Sequence, residues 1–151
     1  EWQIGATGFG EFLPYDDNRV TLSITEKDKW GLPQLDFDVE FKENEYKMRE
    51  DIKKEIASMF EAAGFKDISV YDNTTGPGLG IHEMGGARMG KDPKTSVLNN
   101  NNQIHSVPNV YVTDGAFMSS SSCVNPSLTY MAFTARAANH AAKQFKLGKF
   151  A

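Results

Sequence analysis

The side chains best suited to chemistry are His82 and Asn125, which lie in two segments rich in small residues. His82 belongs to GIHEMGGARMG (80–90), whose glycines let a ligand approach the backbone closely. An unperturbed histidine exchanges its proton near neutral pH, so His82 is the best candidate for a proton acceptor. Asn125 precedes Pro126 at the expected start of a helix, where free backbone N–H groups favour negative charge. The two segments therefore suggest a proton acceptor and a polar clamp.

Both residues also fit ordinary structural roles. A loop histidine is often a surface or capping residue, and an asparagine before a helix is often its N-cap. For Asn125 the two roles are compatible, because a cap uses one carboxamide group and leaves the other available. His105, in a polar turn, and His140, on the last helix, are expected to be structural or exposed. The three histidines form no HExxH or i, i+4 pattern, so no metal ligand is assigned.

Three other segments carry weaker signals. Asp114-Gly115 follows a short apolar strand, the usual place for ligand contacts in open α/β sheets, although Asp-Gly is also a common turn. The serines at 119–122 lack the GxSxG pattern of a hydrolase nucleophile. The glycine-rich runs at 5–10 and 76–80 do not follow GxGxxG, so the sequence lacks the fingerprint of a dinucleotide-binding fold.

Composition limits the class of protein. With 151 residues, 40% of them hydrophobic, the chain is long enough for one compact domain or two small lobes. A net charge of -4 gives no electrostatic reason to bind nucleic acid or an anionic membrane, and no apolar run is long enough for a membrane span. The single cysteine, Cys123, excludes an internal disulfide and leaves the compartment open, cytoplasmic or periplasmic. Because the sequence begins at Glu1 rather than Met, and Trp2-Gln3-Ile4 already has the composition of a strand, we expect the chain to be processed or cut from a larger protein.

The first half of the sequence predicts an antiparallel sheet. Val20–Ile24 and Leu35–Phe41 alternate apolar and polar residues, as half-buried strands do. The glycine and proline of 27–33 predict a turn between them. We therefore expect a meander of strands with one wet face.

A helix and a further strand are predicted to follow. Asn44 is the expected N-cap, the helix runs to about Ala63, and Gly64 supplies its C-terminal stop. Phe65–Tyr71 is predicted to be a strand. Apolar residues at spacings of three and four form a stripe that is expected to face the sheet: Met48, Ile52, Ile56, Met59, Phe60 and Ala63.

The second half predicts a long loop, a short strand and a long helix. Residues 80–102 show little periodicity, and the asparagines at 99–102 predict a polar turn. Val110–Thr113 predicts a strand, and Pro126 suits the first turn of a helix that runs to about Lys146. The residues expected to pack this helix are Leu128, Met131, Ala132, Ala135 and Ala138.

Three of these segments closely resemble the C-terminal region of the glucose-methanol-choline (GMC) flavoprotein oxidoreductases. They are HEMGGARMG (82–90), SVLNNNNQIHSVPNVYVTDGAF (96–117) and NPSLTYMAFTARAA (125–138). NRVTLSITEKDKWGLP (18–33) looks like the family's substrate-domain strands. The resemblance implies a mixed α/β (α+β) fold in two parts. Residues 1–75 would form an antiparallel sheet backed by helices, and 76–151 a strand-helix portion of a Rossmann-like FAD-binding fold.

The resemblance implies FAD-dependent oxidation of the CH–OH group of an alcohol. His82 matches the family's histidine, which implies that it accepts the hydroxyl proton while hydride passes from the substrate carbon to the flavin. Asn125 matches the position of a second histidine or an asparagine, which implies that it holds the hydroxyl oxygen in line. An asparagine there resembles the sugar-oxidising members, so the implied substrate is a sugar or sugar acid.

The resemblance also implies which residues lie beside the cofactor. Asp114 and Gly115 match the family's cofactor-contact turn. The residues that match the segment beside the flavin ring are Pro126, Leu128 and Thr129. The family usually has threonine where this chain has Gly86, so a side-chain hydroxyl near the flavin is lost. Because the dinucleotide fingerprint is absent, we expect the chain alone neither to hold FAD tightly nor to turn over without the rest of the parent polypeptide.

Two other classes of function fit the same residues. One is a module of this ancestry that binds a polyol or a protein without redox chemistry. The other is a structural fragment in which both motifs serve as caps and turns. Flavin absorbance in the full-length protein distinguishes the enzyme from both. The sequence leaves open whether oxygen or another acceptor reoxidises the flavin.

Overall fold

A computed structural model of the protein describes residues 2–73 and 75–150. The chain divides into two compact units, Glu1–Leu79 and Gly80–Ala151. Each unit contains one small antiparallel sheet and one long helix, so the fold class is the expected mixture of α and β structure. The assignment of the two parts to a substrate domain and an FAD-binding domain stays a prediction.

The first unit begins its regular structure with a pair of antiparallel strands. Strand β1 is Arg19–Lys27 and strand β2 is Pro33–Asp38. Val20 lies opposite Phe37 and Leu22 opposite Leu35, with an irregularity in the register between Leu22 and Lys27. The predicted strand pair is confirmed, although β2 ends three residues earlier than Phe41.

Neither face of this sheet is covered by the described residues. Ser23 is the only buried residue of β1, and all six residues of β2 are exposed. The expectation that one face is buried is therefore wrong for this chain. The alternation of apolar residues is present, but the apolar side chains of both strands are exposed.

Helix α1, Glu43–Ala62, starts two residues earlier than predicted. Its N-cap is Lys42 rather than Asn44, which lies inside the first turn. The Glu45 carboxylate accepts a hydrogen bond from the backbone N–H of Lys42 at 2.9 Å. Glu45 is the third residue of the helix, so its side chain reaches back and pairs the N–H of the N-cap residue, which would otherwise be left to water. The prediction that Asn44 is the N-cap is wrong, because the hydrogen bond between Lys42 N–H and the Glu45 carboxylate places the N-cap at Lys42.

The end of α1 follows the predicted signal. Gly64 has φ +83°, a left-handed conformation that glycine adopts without steric cost, and its N–H donates to the Glu61 carbonyl at 3.0 Å. Phe65–Tyr71, by contrast, is not a strand. Asp67 has φ +54°, which interrupts the extended backbone that a strand needs. That strand prediction is wrong.

The apolar stripe of α1 contacts the extended segment at the N-terminus. A Cβ placed on Gly8 would collide with Ile52, and one on Gly10 would collide with Met48. The glycine-rich run at 5–10 therefore has a packing role, because it lets the backbone lie directly on the helix. Met59 of the predicted stripe is exposed, so the stripe is packed along only part of its length.

The second unit has a small sheet with Leu98 at its centre. Strand β3 is Gln103–Ile104 and strand β4 is Val107–Tyr111, and the two are antiparallel. Strand β4 overlaps the predicted strand but begins and ends earlier. Leu98 is completely buried and bridges to Met89 on one side and Ile104 on the other. This core joins the loop that follows His82 to the sheet.

Helix α2, Ser127–Lys146, has the predicted bounds within one residue. The face that packs was predicted incorrectly. Leu128 and Met131 are 76% and 62% exposed, whereas Ala137 is buried. The side chains that contact the rest of the unit include Tyr130, Phe133, Arg136 and His140. Both faces of α2 carry apolar residues, and the sequence pattern alone does not tell which one this unit covers.

The predicted asparagine turn at 99–102 is present and holds a buried polar residue. Asn102 has no exposed surface and adopts φ +62°, a left-handed conformation that asparagine tolerates better than most residues. Its Nδ2 donates to the Val112 carbonyl at 3.0 Å, and its Oδ1 accepts from Arg136 at 3.1 Å. Asn102 therefore ties the turn to β4 and α2. Across the described ranges, neither helix is apolar enough to cross a membrane.

Candidate active site

His82 lies in the loop of the second unit and is partly buried. Its imidazole forms no hydrogen bond with any described residue, so both ring nitrogens are available to a ligand. Ile81, immediately before it, has φ +58°. A β-branched residue rarely adopts this conformation, which costs about 1–2 kcal/mol. An unusual backbone conformation thus stands next to the candidate proton acceptor.

The loop after His82 is held by two backbone hydrogen bonds. Ala87 N–H donates to the Ala116 carbonyl at 2.9 Å, and Met89 N–H donates to the Phe117 carbonyl at 3.0 Å. Phe117 is buried and stacks on Phe133 of α2, with the ring centroids 4.6 Å apart. The loop is therefore attached to the turn after β4 at a point well packed against α2.

The Asp114-Gly115 turn has a clear structural role. The exposed Asp114 carboxylate accepts the Ala116 N–H at 2.9 Å and caps a single 3₁₀ turn, Gly115–Phe117. Gly115 is buried, and a Cβ there would lie 2.8 Å from both Met84 Sδ and Tyr130 Oη. The interpretation of Asp114-Gly115 as a turn is thus confirmed. Contact of either residue with a cofactor stays a prediction.

Asn125 is exposed and does not cap α2. The N-cap position belongs to Pro126, whose carbonyl accepts the Tyr130 N–H at 3.0 Å. Asn125 forms no hydrogen bond with the described part of the chain, so its whole carboxamide is available. The prediction that Asn125 caps the helix is wrong. Because the helix begins at Ser127, the N-cap position falls on Pro126, and Asn125 lies one residue before it.

The first turn of α2 presents free backbone donors next to Asn125. The N–H groups of Ser127, Leu128 and Thr129 donate to no residue that the structure describes. These groups carry the positive end of the helix dipole, which favours an electronegative ligand. Pro126 is buried, Thr129 is partly buried and Leu128 is exposed, so this turn offers apolar surface as well as donors.

Met84 and Tyr130 join the two candidate segments, and neither was identified from the sequence. Met84 lies two residues after His82, and Tyr130 lies in the first turns of α2, five residues after Asn125. The Tyr130 hydroxyl donates to Met84 Sδ at 3.6 Å. The two segments are therefore in contact in the folded unit. Sequence spacing carries no signal for this pair, because 46 residues separate its members.

The other two histidines have structural partners. His105 Nε2 lies 3.1 Å from Ser96 Oγ, and His140 Nδ1 lies 2.9 Å from Tyr111 Oη. Burial raises the pKa of Tyr111 above its ordinary value, so this phenol is neutral at physiological pH. Within residues 2–73 and 75–150, no three His, Cys, Asp or Glu side chains are grouped so as to hold a metal ion.

Comparison with known proteins decides the family. A model of the GMC oxidoreductase family matches residues 14–134, which is most of the chain. The chain belongs to the GMC oxidoreductase family. The resemblance of the three C-terminal motifs and of the N-terminal strands is thereby confirmed.

Three relatives of the chain are much longer than it is. The chain is 38% identical over 140 residues to 2-methyl-1,2-propanediol dehydrogenase of Mycolicibacterium austroafricanum, covering 91% of the chain and 25% of that protein. It is 34% identical to paromamine 6'-oxidase of Streptomyces fradiae, with 83% of the chain and 23% of the relative covered. It is 30% identical to the fructose dehydrogenase large subunit of Gluconobacter japonicus, with 91% and 25% covered. The chain thus spans about a quarter of the length of these GMC oxidoreductases.

Proposed function

We propose that the chain is the C-terminal part of an FAD-dependent oxidoreductase that converts a CH–OH group to a carbonyl, with His82 and Asn125 as its catalytic pair. One observation carries the proposal: the segments that contain these residues meet at Met84 and Tyr130. Both candidate side chains have hydrogen-bonding groups without a partner among the described residues. They are therefore available to a substrate.

The roles of the pair follow from their chemistry. Oxidation of an alcohol removes a proton from the hydroxyl oxygen and a hydride from the carbon. A neutral imidazole nitrogen of His82 accepts the proton. The Asn125 carboxamide, which can donate and accept, holds the hydroxyl oxygen so that the C–H bond keeps one orientation. Bound FAD would supply the two-electron acceptor that this hydride requires.

The residues at the start of α2 fit a flavin. A flavin ring has apolar faces and one edge rich in carbonyl oxygens and ring nitrogens. Exposed Leu128 offers apolar surface, and the free N–H groups of residues 127–129 offer donors with the positive end of a helix dipole. We propose that this turn, with Pro126 and Thr129, lies beside the ring. Asp114 and Gly115 would contact the cofactor through the backbone of their turn.

The second unit would then be the strand-helix portion of a Rossmann-like FAD-binding fold, and the first unit part of a substrate domain. The remaining three quarters of the protein would supply the fingerprint that grips the adenosine end of FAD. The chain alone would not turn over.

The proposed substrate is a sugar or small polyol. The names of the three relatives refer to a 1,2-diol, paromamine and fructose. An asparagine is a suitable clamp for such molecules, because its carboxamide bonds a hydroxyl in either direction.

The first test replaces His82 in the full-length protein. We expect His82→Ala to slow substrate-dependent reduction of the flavin by about 10²–10⁴-fold, because a positioned base is lost. The flavin absorbance spectrum should be unchanged. His105→Gln is the matched control, because the His105 imidazole has Ser96 Oγ as its partner and is not part of the proposed catalytic pair. Its flavin should be reduced at the wild-type rate.

Two results would overturn the proposal. Reduction of His82→Ala at the wild-type rate would remove His82 as the base. A full-length protein that binds a polyol but carries no flavin after purification and added FAD would favour a binding module without redox chemistry.

A further inference from the structure

Tyr130 occupies a central place between the segments of the proposed active site. Its N–H makes the first hydrogen bond of α2, to the carbonyl of Pro126 at 3.0 Å. Its ring is partly buried and lies edge-on to buried Phe117, with the centroids 6.5 Å apart and the planes at 79°. Backbone and ring thus fix the tyrosine relative to the helix turn that follows Asn125.

The Tyr130 hydroxyl is directed to the other segment. It donates to Met84 Sδ at 3.6 Å, and Met84 is two residues from His82. A thioether is a weak acceptor, so the hydrogen bond itself is modest. What the contact adds is a defined position for a long, flexible side chain that would otherwise adopt several rotamers.

Gly115 allows this contact to form. A Cβ at this position would lie 2.8 Å from Met84 Sδ, 2.8 Å from Tyr130 Oη and 3.0 Å from the Glu83 carbonyl. The backbone conformation of Gly115 does not require glycine, because its φ is not in the left-handed region. Gly115 has no room for a side chain because Met84 Sδ and Tyr130 Oη contact each other directly above its Cα.

Among the described residues, backbone hydrogen bonds hold the His82 loop on its C-terminal side. Backbone hydrogen bonds to the 115–118 turn begin at Ala87 and continue at Met89. Between residues 80 and 86 the described attachments to the rest of the unit are the Met84 side chain, the Glu83 carbonyl against Gly115, and the packing of Gly85 and Gly86 on residues 116–118. Met84 is the only one of these attachments made by a side chain, so the position of His82 depends on Met84 together with these backbone contacts.

We infer that Tyr130 is a positioning residue: its hydroxyl, through Met84 and across Gly115, sets where the His82 imidazole lies relative to Asn125. This inference rests on the proposed function. A displacement of about 1 Å at a reacting group can lower a rate by up to about 10²-fold. The hydroxyl therefore contributes to the rate of proton removal and not to flavin binding.

Two conservative variants of the full-length protein test the inference. Tyr130→Phe removes only the hydroxyl, and Met84→Leu removes the sulfur with little change in volume. We expect each to slow flavin reduction about tenfold, with the apparent dissociation constant of the substrate unchanged. Because the two groups act through one contact, the double variant should be no slower than the slower single variant. If Tyr130→Phe does not fold, Met84→Leu decides the question alone.

A second readout does not depend on turnover. In crystal structures of both single variants the His82 imidazole should be displaced, while the backbone hydrogen bonds of Ala87 and Met89 remain. Tyr111→Phe is the matched control. It removes a hydroxyl that bonds His140, so neither the reduction rate nor the position of the His82 imidazole should change.

The outcomes separate this inference from the proposed function. A normal reduction rate in Tyr130→Phe, or losses that multiply in the double variant, would overturn the positioning role while a slow His82→Ala leaves the function intact. A normal rate in His82→Ala would overturn both.

Discussion

The polar side chains of the second unit fall into two groups that differ in whether they have a partner. Asn102 is fully buried and bonds Val112 and Arg136, and His140 bonds Tyr111. His82 and Asn125 have no partner in the described ranges and are accessible. Buried polar groups in native proteins are nearly always paired, and no buried side-chain N or O of the described residues lacks a bond. The unpaired groups are therefore found where a ligand can reach them.

Two neighbouring glycines of the His82 loop should respond differently to the same substitution. Gly85 has φ +88°, so Gly85→Ala should lower the free energy of unfolding by about 1–2 kcal/mol. Gly86 is not in the left-handed region, and a Cβ there would have only Ala116 Cβ at 4.0 Å nearby. Gly86→Ala, and Gly86→Thr with the residue usual in the family, should change stability by less than about 0.5 kcal/mol. Chemical denaturation measures both, and an equal cost at the two positions would contradict the conformational argument.

At the scale of the element, the start of α1 depends on one buried carboxylate. Glu45 is 1% exposed and accepts hydrogen bonds from the backbone of Leu13 and Lys42, and from the side chains of Tyr15 and Asn44. Burial by itself raises the pKa of Glu45. The hydrogen bonds that Glu45 accepts, first those from the backbone of Leu13 and Lys42, together have a larger effect in the opposite direction, so the pKa falls to about 2. Glu45 therefore fastens the N-terminal segment to the helix in its charged form.

This arrangement makes the first unit sensitive to acid. The folded pKa of Glu45 lies below its ordinary value of 4.5, so its contribution is present above pH 4.5 and is lost as the pH falls towards 2. The contribution is about 3 kcal/mol at neutral pH. We expect Glu45→Gln to lower the thermal midpoint clearly at pH 6 and much less at pH 2. Glu43→Gln, at an exposed i, i+4 pair with Lys47, is the control and should have little effect. A gap between wild type and Glu45→Gln that stays constant with pH would contradict the role of the charge.

The elements that the sequence predicted correctly are those with local signals. Helix α1 ends two residues before Gly64, which adopts the left-handed conformation that follows a helix, and helix α2 starts directly after Pro126, whose ring fixes φ. The strand expected at 65–71 does not form because Asp67 has a left-handed backbone conformation. The pattern of apolar and polar residues carries no information about that conformation. Strand β3 has only two residues and is too short for any pattern.

The residues of the candidate site divide in the same way, into those with a local sequence signal and those without one. His82 and Asn125 were found from residue type and neighbouring glycine or proline, and they lie in segments that the fold brings into contact. Met84 and Tyr130 were missed because their importance comes from a contact across 46 residues. The packed face of α2 was assigned wrongly for a related reason. Periodicity shows that a helix has apolar faces, but only the fold shows which neighbour covers each one.

At the scale of the whole molecule, the apolar face of the β1–β2 sheet indicates a larger structure. Val20 and Phe37 lie opposite each other on one face, next to Leu22 and Leu35, and all four are at least 49% exposed. Contiguous apolar surface of this kind normally contacts another part of a protein. Since the chain spans about a quarter of the length of its relatives, we propose that the rest of the full-length polypeptide covers this face.

A pair of lysine substitutions on adjacent residues of β1 tests this covering. Leu22 and Thr21 point to opposite faces of the sheet, and Thr21 lies opposite Asp36. In the full-length protein, Leu22→Lys places a charge under the covering segment and should lower the free energy of unfolding by about 2–3 kcal/mol. Thr21→Lys should change it by less than about 0.5 kcal/mol, because the new ammonium stays in solvent beside a carboxylate. Equal thermal midpoints for the two variants would mean that Leu22 is as exposed in the full-length protein as it is here. In that case the apolar face would have to be explained by a partner other than the rest of the same chain.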